Sequence, residues 1–360
     1  MNDVLAVEIV DPREGVEPEG WSFFRHRAKL PPVWDYEVLR AEAWLSRNPP
    51  VLALIRAGGA VVGALSVLVC RGWREQAFAP RPSARTRRLR PRWAEVYLPL
   101  LSGYPACVFS GRLDADARRG AIRLFERELR RRLGPGLLGV VYRAMTPELV
   151  PAIDGRGRLT REIDPVAVLE NRFDSAQDWA ATLDPVLRKT VRAFAEDSGV
   201  HTETFQGKEI PQLPALATLL NAHRARQDDR AWRDGQRSRI GGLHLDTRSP
   251  VASAYLQAFT ARPEVVTRTY RDERGRLLGF NTMFDHPTSP AVHHWAARPN
   301  ADGGRKDLHV DCYARCVRLM IEHDRPELTA GRALLPVKRA LGFGTRPLFS
   351  VAVPRPVLGR

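Results

Sequence analysis

The sequence predicts an α/β protein, α+β in its detail, made of two tandem units that each hold a mixed, mostly antiparallel sheet flanked by helices. Two apolar hairpins, two strand–turn–helix segments and their shared order carry this prediction. The chain of 360 residues is long enough for two medium-sized domains with cores of their own. We place the units at residues 1–165 and 166–360.

Each predicted hairpin joins two β-branched, apolar runs through a glycine turn. The first hairpin pairs residues 51–56 with 60–69, and the second pairs 265–271 with 277–284. In both, a glycine ends the turn and another follows four residues later: Gly59 and Gly63, then Gly275 and Gly279. Such runs around a short glycine turn are typical of antiparallel strands.

A strand, a turn and a long helix follow each hairpin. The strands are predicted at 106–110 and 291–297, and the helices at 117–133 and 308–322, where apolar residues recur at helical spacing. The turns between them are related in sequence: Arg112-Leu113-Asp114-Ala115-Asp116 and Arg298-Pro299-Asn300-Ala301-Asp302. Single matches of this length arise by chance, but their common order favours a duplicated unit.

Composition points to a polyanionic partner. The formal net charge is +15, with 56 Lys and Arg against 41 Asp and Glu, which suits RNA or a nucleotide phosphate. The alternative is a GC-rich coding sequence, which raises Arg, Ala, Gly and Pro together. No apolar run is long enough for a membrane span, and the acidic N-terminus is not a signal peptide. With sparse cysteines and no metal-ligand spacing, these features predict a cytoplasmic protein without a metal site.

Two basic segments are candidates for binding RNA or phosphate. Residues 71–97 are rich in arginine and proline with interleaved aromatics, and we predict a long loop that presents Arg85, Arg87 and Arg88. A helix at 185–198 is predicted between the Asp184 cap and the Gly199 stop, with Arg188, Lys189 and Arg192 close together on one face. The alternative for both segments is a solvated surface. A further polar loop is predicted at 227–239.

The order of parts resembles the GNAT acyltransferase fold. Two such units with the basic helix between them, ending in Lys338-Arg339-Ala340-Leu341-Gly342-Phe343, are similar to the Fem-type aminoacyl transferases. Fem-type proteins carry lysine at the place of Lys338, where ordinary GNAT enzymes usually carry tyrosine. The resemblance therefore implies that Lys338 stabilises an oxyanion or grips the donor's terminal phosphate; the alternative is a surface lysine.

Acyl transfer also needs proton transfer and a held donor. Tyr313 and Asp311, at the start of the second long helix, are candidates for proton transfer. By the resemblance, Arg298, Gly303, Gly304 and Arg305 would hold donor phosphates; the alternative is a tight turn before a charged helix start. Ala301 stands where the GNAT turn has its first glycine, and the first-unit turn has no glycine. The first unit is thus expected to be degenerate, with a structural or acceptor-binding role, and the second to be catalytic.

We therefore expect an acyltransferase that moves an aminoacyl group from aminoacyl-tRNA to an amine-type acceptor, a peptide or natural-product precursor, forming an amide or ester. Two alternatives stay open: an acyl-CoA-dependent N-acyltransferase, and a non-catalytic RNA-binding protein on a GNAT scaffold. No permanently bound cofactor is expected. The co-substrate is aminoacyl-tRNA or acyl-CoA, tRNA is the favoured partner, and the oligomeric state is left open.

Overall fold

The computed structural model describes residues 4–71, 91–99, 101, 103–196, 199–207, 209–233 and 250–360. Their contacts divide the chain into two compact units. The first comprises the described residues of 1–164 and 347–360, together with Pro250. The second comprises those of 165–238 and 251–346.

The first unit contains most elements of the N-terminal half. In chain order they are β1 (Leu5–Val10), α1 (Trp21–Arg27), α2 (Tyr36–Leu45), β2 (Pro50–Ala57), β3 (Ala60–Arg71), β4 (Arg92–Val96), β5 (Cys107–Phe109), α3 (Ala115–Leu133), β6 (Leu137–Met145) and α4 (Val150–Ile153).

The second unit begins within the long strand β7 and ends within the last strand, β13, whose residues from 347 onward belong to the first unit. The elements that follow are β7 (Leu159–Glu170), α5 (Ala176–Thr182), α6 (Pro185–Glu196), β8 (Val200–Gln206), α7 (Leu213–Arg233), α8 (Ser253–Thr260), β9 (Val265–Asp272), β10 (Leu277–Phe284), β11 (Ala291–Ala297), α9 (Leu308–Glu322), β12 (Glu327–Thr329), α10 (Leu335–Ala340) and β13 (Gly344–Pro354).

The sheet of the first unit runs β1-β2-β3-β4-β6-β13, and only its β4–β6 pair is parallel. β4 and β5 lie end to end along β3. Val96 pairs with Val67, and Cys107 pairs with Leu65, so both segments extend in one direction along the same edge of β3. Together they form one interrupted strand.

The sheet of the second unit runs β7-β12-β11-β10-β9-β8, and only its β11–β12 pair is parallel. The order of hairpin, third strand, helix and parallel strand is therefore the same in both units. This confirms the predicted fold class, and it makes the interrupted strand β4–β5 the counterpart of β11.

Local sequence explains the long helices. Asp114 caps α3, since its carboxylate accepts the N–H of Ala117 at 2.8 Å, and three arginines complement the helix dipole in the last turn. In the second unit, α9 turns a stripe of apolar side chains into the core, including Leu308, Cys312 and Met320. The opposite face of that sheet packs Phe280 and Ala296 against α7 and α8.

Two loop predictions were wrong in part. The insert 71–97 contains the strand β4, whose Ala94 and Val96 are fully buried; the prolines around it hid a short apolar run. Residues 227–233, predicted as loop, continue α7. Arg85, Arg87 and Arg88 lie outside the described residues.

The last strand departs from the predicted division of the chain. β13 pairs antiparallel with β6, with Val351 opposite Tyr142 and Val353 opposite Val140. Residues 347–360 thus belong to the first unit, whereas we placed all of 166–360 in the second. Pairing between strands about 200 residues apart leaves no local pattern in the sequence.

Candidate functional site

The parallel strands of the second unit part almost at once. β11 and β12 are paired only at Ala291 opposite Thr329, after which β12 ends while β11 continues to Ala297. A β-bulge at His293 and His294 bends β11 close to this point, because these two residues oppose the single residue Thr282 of β10. The split leaves the backbone at the end of β12 without a strand neighbour on the β11 side.

Lys338 lies at this split. Its side chain is only 2% exposed, and Nζ donates hydrogen bonds to the carbonyl oxygens of Ala330 and Gly331, directly after β12. Burial lowers the pKa of Lys338 to about 8. An ammonium group carries three N–H donors. Two of these donors are used by the two carbonyl oxygens, and the described residues provide no third hydrogen-bond acceptor for Nζ.

Tyr313 is the aromatic neighbour of this lysine. The Lys338 Nζ lies 5.8 Å from the centre of the Tyr313 ring, and that ring contacts Phe343 edge-on at 5.8 Å. Burial raises the pKa of the Tyr313 phenol, so it remains protonated at neutral pH. Tyr313 is suited to support the ammonium group and to donate a hydrogen bond, rather than to act as a base.

Asp311 is directed elsewhere. It forms an ion pair with Arg315 at 2.7 Å, and burial raises the pKa of its carboxyl group. Two residues along a helix correspond to about 200° of rotation, so Asp311 and Tyr313 lie on different faces of α9. The structure brings Tyr313 to Lys338 and places Asp311 with Arg315.

The turn at 298–304 uses its own backbone donors. The N–H groups of Asp302 and Gly304 donate to the Pro299 carbonyl, and that of Gly303 donates to Asn300. Arg298 Nε donates to the Leu277 carbonyl at 2.6 Å. The amides of Gly303 and Gly304, two of the four residues predicted to hold donor phosphates, are thus engaged within the turn.

Gly304 is required by this turn for a steric reason. A Cβ atom at this position would lie 2.1 Å from the Arg298 carbonyl oxygen. Gly303 adopts φ +76° and its carbonyl accepts a hydrogen bond from Arg276 at 2.9 Å. Both glycines are therefore needed for this tight turn.

Exposed cations surround the start of α9 and the face of α6. The Arg305 guanidinium lies 5.9 Å from the ring of Phe194 on α6, while Lys189 and Arg192 are exposed on that helix. Lys306 is also exposed. We call these four residues the basic surface: Lys189, Arg192, Arg305 and Lys306.

Arg188 is used internally. Its guanidinium donates to the carbonyl oxygens of Ala181 and Leu183 at 2.7 and 2.9 Å, which terminates α5. It shares a helix with Lys189 and Arg192 but not their exposure. The basic helix thus separates into one structural arginine and two solvent-facing cations.

A buried polar group in the second unit was not predicted. Arg268 on β9 is 6% exposed, and its neighbours include Cys316 of α9. The Asn281 side chain donates to the Cys316 sulfur at 3.7 Å. The available signal was an arginine inside the β-branched run 265–270. The Ala330 and Gly331 acceptors are backbone atoms, which no residue type reveals.

No three His, Cys, Asp or Glu side chains gather at a metal-binding distance within the described ranges. No helix in that part of the chain is long and apolar enough to cross a membrane. The four cysteines are buried free thiols.

The two sheets, each with one parallel pair, together with the split beside Lys338, define a protein with two tandem GNAT-type units. No family model matches the chain, and no curated protein sequence does. Solved structures do resemble it. L-PGS from Bacillus licheniformis has a TM-score of 0.55 at 11% identity, with 98% of each chain covered.

Two further structures show the same fold. A tandem GNAT protein from the clavulanic acid biosynthesis pathway has a TM-score of 0.50 at 14% identity, covering 97% of this chain and 98% of its own. FemX has a TM-score of 0.51 at 9% identity, covering 88% and 89%. The resemblance to GNAT and Fem-type proteins is confirmed at the level of the fold.

Proposed function

We propose that the protein is an acyltransferase that moves an aminoacyl group from aminoacyl-tRNA to an amine-type acceptor. The observation that carries the proposal is the buried Lys338 ammonium at the β11–β12 split, with one donor left for a substrate oxygen. The second unit performs the chemistry, and the first is degenerate, with a structural or acceptor-binding role.

In this proposal the acceptor amine attacks the carbonyl carbon of the aminoacyl ester. The carbonyl oxygen becomes an oxyanion, which accepts a hydrogen bond from Lys338 Nζ. The C–O bond to the ribose then breaks, the tRNA hydroxyl leaves with a proton, and an amide bond remains. A cation in a desolvated setting stabilises this developing charge more than a solvated one would.

The choice of donor is supported by the turn and by the basic surface. An acyl-CoA donor needs backbone amides for its pyrophosphate, and the turn amides at 302–304 are internally bonded. A tRNA donor needs solvent-facing cations along its backbone, which the basic surface supplies. The acyl-CoA alternative shares the same lysine chemistry and differs only in its donor.

Donor consumption tests the proposal. The protein is incubated with labelled acetyl-CoA and, separately, with a mixed aminoacyl-tRNA pool, each with a panel of amine and peptide acceptors. Label should move from tRNA to an acceptor. Lys338→Met should lower the rate by about 100-fold or more, while the exposed neighbour variant Arg339→Met should not.

The two alternatives predict other outcomes. Consumption of acetyl-CoA instead of aminoacyl-tRNA would establish the acyl-CoA-dependent N-acyltransferase. Salt-sensitive tRNA binding without consumption of either donor would establish a non-catalytic RNA-binding protein. Transfer by Lys338→Met at the unaltered rate would remove the lysine from the mechanism.

A further inference from the structure

The first unit contains a cleft that the proposed chemistry does not use. It has a volume of about 590 Å³ and lies among α1, the start of β3 and the end of β5. We call it the α1 cleft, and its lining consists of Gly20, Phe23, Phe24, Arg27, Ala28, residues 60–62 and residues 109–112. Cavities of this size are typical of sites for small organic molecules.

The walls of the α1 cleft are apolar and partly aromatic. Phe109 and Val61 contribute from the sheet, and Phe23 contributes from α1 with 72% of its surface exposed. A phenylalanine side chain is less stable in water than when it is buried against apolar groups. A ligand with an apolar body would bury it.

Two arginines stand in the same lining. Arg27 lies in the last turn of α1, and Arg112 follows β5. Both are exposed, and neither side chain forms an ion pair or a hydrogen bond with any residue that the structure describes. The described lining contains no Asp or Glu. The cleft therefore combines apolar walls with uncompensated positive charge.

The end of β5 leaves room beside these cations. A Cβ atom placed on Gly111 would meet no atom within 4 Å. On the other side of the cleft, α1 is held close to β3, since a Cβ atom on Gly20 would lie 3.8 Å from Val61. The cleft is thus open at the Gly111 edge and closed at the sheet.

We propose that the α1 cleft binds an organic anion that has an apolar acyl or aromatic body and a single carboxylate, phosphate or sulfonate group. The body contacts Phe23, Val61 and Phe109, and the anionic group binds Arg27 and Arg112. Guanidinium groups bind such oxyanions through paired N–H donors. This site is independent of acyl transfer in the second unit and is tested by binding alone.

A matched pair of fluorescent probes tests the charge requirement. Anilinonaphthalene sulfonate carries an aromatic body with a sulfonate, and phenylnaphthylamine has the same body without it. We expect the sulfonate to bind the full-length protein with a stoichiometry of one and at least about tenfold more tightly than the neutral probe. Equal affinity for both probes would overturn the proposal.

Variants locate the site. Arg27→Gln and Arg112→Gln should each weaken sulfonate binding by about fivefold and leave the neutral probe unaffected. Phe23→Ser should weaken both probes. The control is Arg130→Gln, an exposed arginine of α3 outside the cleft. Sulfonate binding that survives the Arg27→Gln, Arg112→Gln double variant would place the probe elsewhere and reject the site.

Competition distinguishes the two kinds of body. Displacement of the sulfonate probe by octanoate supports an acyl acid as the ligand class, and displacement by naphthyl phosphate supports an aromatic phosphate. If neither compound displaces the sulfonate probe, even in large excess over the protein, the result would contradict a general organic-anion site.

Discussion

A lysine ammonium that is almost wholly buried costs free energy of folding. The pKa of Lys338 falls from 10.5 to about 8, which corresponds to about 3 kcal/mol of differential stability. Between these two pH values the unfolded chain binds a proton that the folded chain has released. The free energy of unfolding contributed by Lys338 therefore rises as the pH rises from about 8 to 10.5.

Lys338→Met removes this titration. Relative to the wild type, the free energy of unfolding of the variant should fall by about 2 to 3 kcal/mol between pH 7 and pH 10, because only the wild type gains stability over that range. Urea denaturation at the two pH values measures the difference. Arg339→Met, which alters the exposed residue next to Lys338 in the chain, should show no such change. A pH-independent difference for Lys338→Met would contradict the buried ammonium.

The turn that precedes α9 packs too closely for a side chain at Gly304. Gly304→Ala would place a methyl group against the Arg298 carbonyl, so the turn must open. We expect a loss of about 3 kcal/mol in the free energy of unfolding, measured with urea. Gly15→Ala is the control, since neither Gly304 nor Gly15 has positive φ and Gly15 has open space around it. Equal losses in both variants would show that the contact with the Arg298 carbonyl is not responsible.

Substitutions in the basic surface and at Arg188 should have different effects on tRNA binding. Charge reversal at Lys189 and Arg192 should weaken tRNA binding and reduce the slope of log affinity against log salt by about 1 to 2. Arg188→Gln should lower stability, because it breaks two hydrogen bonds at the end of α5, and leave that slope unchanged. A salt slope that responds to Arg188 alone would reverse these assignments.

Elements with strong local signals were predictable, and those defined by distant partners were not. The hairpins at Gly59 and Gly275 were visible because their apolar runs are continuous and their turns contain glycine. β12 spans only three residues, Glu327–Thr329, and is a strand because it lies between β7 and β11. The same reasoning applies to the site: Lys338 was identified through a resemblance, whereas its two carbonyl partners depend on where β12 ends.

At the scale of the whole chain, the first unit is assembled from segments far apart in sequence. Glu126 of α3 is fully buried and accepts hydrogen bonds from Arg158 at 2.6 and 2.7 Å, from Tyr142 at 2.9 Å and from the Gly359 N–H at 2.8 Å. One carboxylate thus joins residues that span more than 200 positions. The arginines of α3 add to this, since Arg127 donates to the Gly359 carbonyl. Much of the arginine excess of that helix is therefore structural.

Glu126→Gln tests this junction. A glutamine keeps the shape of the side chain but leaves the buried Arg158 guanidinium without a compensating charge, at a cost of about 3 kcal/mol. Urea denaturation should show the loss, and hydrogen exchange should become faster in β6 and β13. Glu128→Gln is the matched control on the same helix, because its ion-pair partner Arg131 is 79% exposed, and this substitution should change stability by less than about 1 kcal/mol. Equal effects of the two substitutions would mean that the buried network contributes no more than a surface ion pair.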